Sequence, residues 1–133
     1  MIRVFAAGVF DFFHPGHRFF LQCARALGDE LFVVIARDHN VLAQKGFFPH
    51  FSEEERLLAV QTSHLADRVF LGDREDFLKS IKAVRPDIIA LGYDQYLPPL
   101  LTTTFPAIRI VRIPAKNPEI WKSSVFRKKT SSP

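Results

Sequence analysis

Residues 2–17 read IRVFAAGVFDFFHPGH, and this stretch decides the fold. It opens with a run of apolar and β-branched residues, Ile2 to Ala7, which is typical of a buried β-strand. The run ends at Gly8, where the chain can turn tightly and a ligand can approach the backbone. Pro15 favours an extended residue before it and suits the first turn of a helix. The stretch therefore predicts a strand that leads through a compact loop into a helix.

Two histidines, His14 and His17, lie at this predicted junction. Backbone N–H groups in the first turn of a helix lack partners within the helix and, with the helix dipole, attract phosphate. Two imidazoles held there could donate hydrogen bonds to non-bridging phosphate oxygens as negative charge builds up in a displacement. Two other interpretations stay open here. One is a zinc site, for which no third ligand has suitable spacing, and the other is a purely structural loop.

Strand-like and helix-like segments alternate along the rest of the chain. Further apolar runs predict strands at 31–36, 68–71, 87–91 and 108–113, while helical spacing and capping residues predict helices over 17–27, 52–62 and 73–84. Residues 37–51 are expected to form a long loop, and 97–106 a loop or a broken helix. Ser123 is expected to open a final short helix.

This alternation predicts the fold class. We expect one α/β, Rossmann-like domain with a mainly parallel five-stranded sheet and helices on both faces, spanning residues 1–126 and followed by a basic tail at 127–133. Ligands of such sheets bind beyond the carboxyl ends of the strands. That edge is therefore expected to carry the loops 8–16, 37–51, 92–95 and 114–123.

The charge of the chain is unevenly placed. The net charge is +4, yet residues 122–133 hold four basic residues and no acid, so residues 1–121 hold 14 residues of each sign. A nucleic-acid-binding protein usually spreads its basic residues over a face or a groove-reading helix. We therefore predict no nucleic-acid partner. The tail is either a solvated end or a flap that closes over phosphates.

The sequence also predicts where the protein resides. No apolar run approaches the roughly 18 residues of a membrane-spanning helix, and no secretory signal pattern precedes the first strand. Cys23 is the single cysteine and lies on the inner face of the first predicted helix, which indicates a buried, inert thiol. We expect a cytoplasmic protein without a membrane partner.

Gly8 to His17 resembles the GxFDxxHxGH signature of the cytidylyltransferase-like nucleotidyltransferases, relatives of class I aminoacyl-tRNA synthetases. The resemblance implies transfer of a nucleoside monophosphate from a nucleoside triphosphate to a phosphorylated acceptor, with release of pyrophosphate. It implies that His14 and His17 bind the triphosphate and stabilise the transition state at its α-phosphate. In that family the acceptor's phosphate attacks, Mg²⁺ is carried by the triphosphate, and no protein nucleophile or metal ligand is used.

Further site residues follow from the same resemblance. The nucleotide is expected to contact residues of the signature, namely Gly8, Val9, Phe10, Asp11 and Gly16. Lys45 would reach the triphosphate as a mobile cation, or it is an exposed loop lysine. Asp38 and Arg56 are expected to serve the acceptor or the loop. Arg56 would lie near the nucleotide or at a dimer contact, although it could pair with glutamates of its own helix. Val9 and the segment from Phe47 to His50 depart from the family pattern.

Residues 85–95, RPDIIALGYDQ, resemble the branch that includes archaeal-type FAD synthases. By that likeness Gly92 to Gln95 contact the nucleotide: Tyr93 offers a stacking face, and Asp94 and Gln95 read amide-like edges or ribose hydroxyls. A capped turn is the structural alternative. A phosphate-binding segment at a helix start is implied, against a simple N-cap, for Lys122, Ser123 and Ser124.

These observations lead to one preferred function. From the resemblance we expect the reaction to be adenylylation of FMN to FAD. A CTP-dependent transfer to glycerol 3-phosphate or another phospho-alcohol is the second hypothesis, and a nucleotide-binding module without catalysis is the third. The family likeness also implies a homodimer.

Overall fold

The computed structural model describes residues 1–115. The expectations for Lys122, Ser123, Ser124, the helix opening at Ser123 and the tail at 127–133 lie outside the described residues. So does the end of the domain predicted at residue 126.

Strands and helices alternate within residues 1–115. The strands are β1 (Arg3–Gly8), β2 (Glu30–Ile35), β3 (Arg68–Leu71), β4 (Ile88–Leu91) and β5 (Arg109–Arg112). The helices are α1 (Pro15–Arg25), α2 (Asp38–Lys45), α3 (Glu53–Ser63), α4 (Phe77–Val84) and α5 (Pro99–Thr104), with a short 3-10 helix at Asp11–Phe13 before α1. No helix in this part of the chain is both long and apolar enough to cross a membrane.

The strands form one sheet in the order β3-β2-β1-β4-β5, and every pairing is parallel. Val4 of β1 is in register with Leu31 on one side and Ile88 on the other. The chain therefore winds outward from β1 to β3 and then returns to build the other half of the sheet. This order confirms the predicted Rossmann-like α/β fold, and it places a topological switch point between β1 and β4.

Helices cover both faces of the sheet, as predicted. On one face Leu21 of α1 and Val60 of α3 pack with Val4 and its same-face neighbours in one buried cluster. On the other face Ile81 of α4 and Leu101 of α5 pack with a second cluster around β1 and β4. Because both faces are covered, the central strands are apolar at successive positions instead of alternating.

One predicted loop is partly helical. Residues 37–51 were expected to be irregular, but Asp38–Lys45 forms α2. Val41 is the only side chain of this helix that is buried, so its residues show no apolar stripe at helical spacing. Gly46 ends the helix at φ 82°, and its N–H donates to the carbonyl of Leu42. The helix signal is therefore at its C-terminal cap, not in its apolar pattern.

The start of α4 also differs from the sequence prediction. Asp76, not Asp73, caps α4, because its side chain accepts from the N–H of Leu78. Asp73 instead accepts from the N–H groups of Glu75 and Asp76 and shapes the turn before the helix. Pro99 begins α5, where its missing N–H costs no helical hydrogen bond, so 97–106 contains a short helix. The reciprocal capping box of Ser52 and Glu55 at α3 is present.

Candidate active site

A cavity of about 1030 Å³ opens at the carboxyl edge of the sheet. Its wall includes residues that follow each of the strands: Gly8 to Asp11, Ala36 and Arg37, Gly72 and Asp73, Gly92 to Tyr96, and Ile113 to Ala115. This is the edge at which parallel α/β sheets bind ligands. The volume lies at the upper end of small-molecule sites and leaves room for a nucleotide together with an acceptor.

The two histidines of the signature meet in this cavity. His14 is the N-cap residue of α1, and its carbonyl accepts from the N–H groups of His17 and Arg18 at 3.0 and 3.2 Å. The two imidazole rings stack with centroids 3.7 Å apart and planes 19° apart. Phe10 contacts the edge of the His17 ring at a centroid distance of 5.4 Å. The first turn of α1 therefore brings both rings to one point, as the spacing of the motif predicts.

Burial keeps both imidazoles neutral. Desolvation lowers the pKa of His14 from 6.5 to about 4. Desolvation, then the nearby charges of His14 and Lys45, lowers the pKa of His17 to about 3. A neutral imidazole has one N–H donor and one acceptor nitrogen. Nδ1 of His17 is buried and has no hydrogen-bond partner within residues 1–115, so it is available to a bound ligand.

The loop before the histidines is held in an unusual backbone conformation. Phe10, Phe12 and Phe13 have φ values of 55°, 66° and 31°, a region that costs non-glycine residues about 1–3 kcal/mol each. A Cβ atom on Gly8 would lie 2.9 Å from the Phe10 ring, so a larger residue there would displace this buried ring at the end of β1. The rings of Phe10 and Phe12 pack against Phe20 and Phe51, and this packing holds the loop in its strained conformation.

Asp11 anchors the same loop to the segment before α3. Its carboxylate accepts from the N–H groups of His50 at 2.8 Å and Phe51 at 3.0 Å, and the residue is 2% exposed. The ring of Phe12 stacks on His50 at 4.9 Å. Asp11 was expected to contact the nucleotide. It lines the cavity, but its described hydrogen bonds go to the protein backbone.

Arg56 and Asp38 lie behind the cavity and not in its wall. Arg56 is 1% exposed and donates to the carbonyls of Val9 at 2.7 Å and Phe51 at 3.0 Å, and to Asp38 Oδ1 at 2.6 Å. Asp38 in turn exchanges backbone-to-carboxylate hydrogen bonds with Glu53. The structure therefore does not bring either residue into the cavity wall, and the ion-pair partner of Arg56 is Asp38 instead of a glutamate of its own helix. This arginine ties three site segments together.

The remaining expected residues of the described part line the cavity. Val9, Gly16 and Lys45 lie on its wall, and the Lys45 side chain is exposed at the end of α2. Phe47, from the segment that departs from the family pattern, also lines it and is 43% exposed. The structure thus brings the signature, the end of α2 and the turn after β4 to one cavity.

Gln95 fixes the turn formed by Gly92 to Gln95. Its Oε1 accepts from the N–H of Gly92 at 2.8 Å, and its Nε2 donates to the carbonyl of Ala7 at 2.7 Å. Both ends of its amide are therefore bound within the protein, as in the capped-turn alternative. Tyr93 and Asp94 line the cavity beside it.

Arg112 and several residues of the cavity wall carry no signal in the sequence. Nη1 of Arg112 donates to the carbonyls of Gly92 and Gln95 at 2.8 Å each. In the sequence this arginine is only a polar residue at the end of a predicted strand, with no sign of a partner 17 to 20 positions away. Other lining residues without a sequence signal are Asn40, Phe77, Tyr96, Pro98 and Ile113.

No group of three or more His, Cys, Asp or Glu side chains within residues 1–115 is arranged to hold a metal ion. The carboxylate nearest the histidines in the sequence, Asp11, accepts from backbone N–H groups.

Comparison with known proteins finds relatives that are named FAD synthase. The chain is 53% identical over 95 residues to FAD synthase of Methanosarcina barkeri (strain Fusaro / DSM 804), covering 71% of this chain and 67% of that protein. It is 41% identical over 134 aligned positions to FAD synthase of Thermoplasma volcanium, covering 97% of this chain and 94% of that protein.

Solved structures agree on the fold. A crystal structure described as the lipopolysaccharide core biosynthesis protein of Thermoplasma volcanium GSS1 superposes with a TM-score of 0.81 at 41% identity, covering 88% of this chain and 99% of that one. Pantoate-β-alanine ligase of Francisella tularensis superposes with a TM-score of 0.63 at 16% identity, covering 87% of this chain and 60% of that one. The second match supports the fold alone. The sequence model of the cytidylyltransferase-like family matches residues 5–132, and with the histidine motif at the switch-point cavity it shows that this chain belongs to that family of nucleotidyltransferases.

Proposed function

We propose that the protein transfers the adenylyl group of ATP to the phosphate of FMN, forming FAD and releasing pyrophosphate. The observation that carries this proposal is the stacked pair of desolvated, neutral imidazoles at the start of α1. The choice of ATP and FMN rests on the relatives named FAD synthase. A phosphate oxygen of FMN forms a bond to the α-phosphorus. The bond from that phosphorus to the bridging oxygen breaks, and pyrophosphate leaves with the electron pair.

His14 and His17 would support the charge that builds up at the α-phosphate. Because each ring is neutral, it donates one N–H without adding a net charge that must be desolvated. The first turn of α1, with Gly16, adds backbone N–H groups and the positive end of the helix dipole. Removing one such donor in other enzymes lowers the rate about 10²- to 10³-fold.

The rest of the cavity would hold the two substrates. Lys45 at the end of α2 is in position to approach the triphosphate, and its charge already acts on His17. Tyr93 and Asp94 would face the nucleoside, where a ring can stack and a carboxylate can accept from ribose hydroxyls. By family likeness, Lys122, Ser123 and Ser124 would bind the triphosphate from the chain beyond the described residues, within a domain that we place at 1–126.

Mg²⁺ would enter with the triphosphate and neutralise charge on the departing pyrophosphate. By the same family likeness we propose a homodimer. From the charge placement and hydropathy of the sequence we propose a cytoplasmic location and no nucleic-acid or membrane partner. Light scattering at high protein concentration tests the dimer, because a monomer throughout the concentration range excludes it.

Pyrophosphate release with Mg²⁺ tests the function, with ATP and CTP each assayed against FMN and glycerol 3-phosphate. We expect release only with ATP and FMN, and FAD as the second product. Replacing His14 or His17 by alanine should lower kcat by at least about 10²-fold, because each change removes a donor at the reacting phosphate. The matched control is His39→Ala on the exposed side of α2, which should retain full activity.

Each other outcome selects a different hypothesis. Release with CTP and glycerol 3-phosphate alone identifies the cytidylyltransferase alternative. Nucleotide binding without release for any acceptor identifies a module without catalysis. Full activity in both signature variants, in protein whose circular dichroism is unchanged, contradicts the assignment of the histidines.

A further inference from the structure

The turn at residues 92–95 is held from two opposite sides. It follows β4 and forms part of the cavity wall, at the switch point between β1 and β4. A turn in this position usually adapts to its ligand, because loops carry few fixed contacts. Here side chains from within the turn and from β5 fix its backbone before any ligand binds.

On the inner side, Gln95 links the turn to the central strand. Its Oε1 accepts from Gly92 N–H and its Nε2 donates to Ala7 O, at 2.8 and 2.7 Å. The backbone N–H of Gln95 donates to the Gly92 carbonyl at 3.2 Å, which closes the turn. The ends of β1 and β4 are thereby joined through one amide group.

On the outer side, Arg112 holds the same turn from β5. Its Nη1 donates to the carbonyls of Gly92 and Gln95 at 2.8 Å, and lies 3.5 Å from the carbonyl of Tyr93. Hydrogen bonds from a charged donor are stronger than those between neutral groups. A single guanidinium nitrogen on β5 therefore binds the carbonyls at both ends of the turn.

These contacts decide which groups of the turn remain for a ligand. The Gly92 N–H and the carbonyls of Gly92 and Gln95 are bound within the protein. Tyr93 and Asp94 line the cavity at this turn, so the turn contributes an aromatic residue and a carboxylate residue to the wall. A carboxylate repels a triphosphate but accepts from ribose hydroxyls, so this wall suits the nucleoside end of a nucleotide. The histidines mark the phosphate end.

We propose that Arg112 and Gln95 are positioning residues that fix the 92–95 turn in the shape that reads the nucleoside. This inference rests on the proposed function for the placement of the nucleoside. A turn that is ordered in advance lowers the conformational entropy lost on binding, so its gain appears as nucleotide affinity. Neither residue needs to touch the reacting phosphate.

The test compares ATP with inorganic tripolyphosphate, which has the phosphates but no nucleoside. Dissociation constants of both are measured by calorimetry for the full chain and for Arg112→Met, Arg112→Lys and Gln95→Met. We expect Arg112→Met and Gln95→Met to weaken ATP binding about tenfold, the loss typical of one or two hydrogen bonds, and to leave tripolyphosphate binding unchanged. Arg112→Lys should recover part of the ATP affinity, because lysine keeps the charge and can reach one carbonyl.

Arg109→Met is the matched control. Arg109 is also exposed and lies on β5, so its replacement removes the same charge from the same strand without touching the turn. We expect both dissociation constants to stay at the wild-type values in this variant.

Two results would overturn the proposal. Equal losses of ATP and tripolyphosphate binding in Arg112→Met would make Arg112 a direct phosphate ligand. A lower Tm with both dissociation constants unchanged would show that Arg112 and Gln95 only stabilise the fold. If Arg112→Met does not fold, Gln95→Met and Arg112→Lys carry the same comparison. The proposed function fails if no FAD forms. The dissociation constants can still be measured in that case, so the two failures are distinguished.

Discussion

His14 and His17 are desolvated in the cavity. Their rings stack on each other, and the pKa of each lies well below 6.5 because burial disfavours the imidazolium. The same desolvation that keeps them neutral for phosphate chemistry also makes the folded protein resist protonation at these positions. The active site is therefore coupled to the stability of the whole chain at acidic pH.

We predict that stability falls as the pH is lowered from about 6.5 toward 4. In this window the unfolded chain binds protons at both histidines, whereas the pKa values of the folded protein, about 4 for His14 and about 3 for His17, keep them neutral. Because the unfolded state binds more protons, lower pH favours unfolding. Urea denaturation at intervals of pH measures the slope, and the double variant His14→Asn, His17→Asn should have a shallower one.

Ser52→Ala controls for destabilisation as such. It removes the hydroxyl that caps α3, which lowers the free energy of unfolding by about 1 kcal/mol without removing a titrating group. Its stability curve should lie below that of the wild type at every pH with the same slope. An unchanged slope in the double histidine variant would show that the acid sensitivity arises elsewhere.

Arg56 shows why the contacts of a residue singled out from sequence cannot be predicted from the sequence. Its motif is visible, but its three acceptors belong to Val9, Phe51 and Asp38, which are 47, 5 and 18 positions away. Such contacts depend on how the segments meet, and no local pattern encodes them. The signature histidines were predictable because the strand, the loop and the first helical turn that bring them together are adjacent in sequence.

The same distinction holds for whole elements. Strands β1, β2 and β4 were predictable because continuous apolar runs occur where both faces of a parallel sheet are covered. Helix α2 was not, since Val41 is its one buried side chain and its stability comes from its ends. At its start the N–H of Asp38 donates to Glu53 Oε1, and at its end Gly46 is the C-cap residue.

Gly46 gives a direct test of what holds α2. It has φ 82°, and a Cβ at this position would meet nothing within 4 Å, so a substitution acts through the backbone alone. Gly46→Ala should lower the free energy of unfolding by about 1 kcal/mol, because alanine disfavours the left-handed conformation. Gly46→Asn is the control and should cost less, since asparagine tolerates that conformation. Denaturant titration compares them, and equal losses would contradict a backbone origin.

At the scale of the molecule, the cavity joins two halves of one sheet. The β1-β2-β3 half contributes the signature and α2, and the β4-β5 half contributes the 92–95 turn. A nucleotide that contacts both halves would bind only when they are assembled. Ligand binding should then stabilise the fold as a unit instead of protecting one lobe.

Hydrogen exchange of the backbone amides tests this coupling. With Mg²⁺ and ATP at a hundred times the dissociation constant, binding to the folded state alone adds about 2.7 kcal/mol, which slows exchange through global unfolding about 100-fold. We expect this slowing in Leu31 to Ile35 of β2 and equally in Ile88 to Leu91 of β4, because their amides lie on opposite sides of β1. A sample of matched ionic strength without nucleotide is the control. Protection limited to one of the two strands would show that the halves open independently and that the nucleotide contacts only one of them.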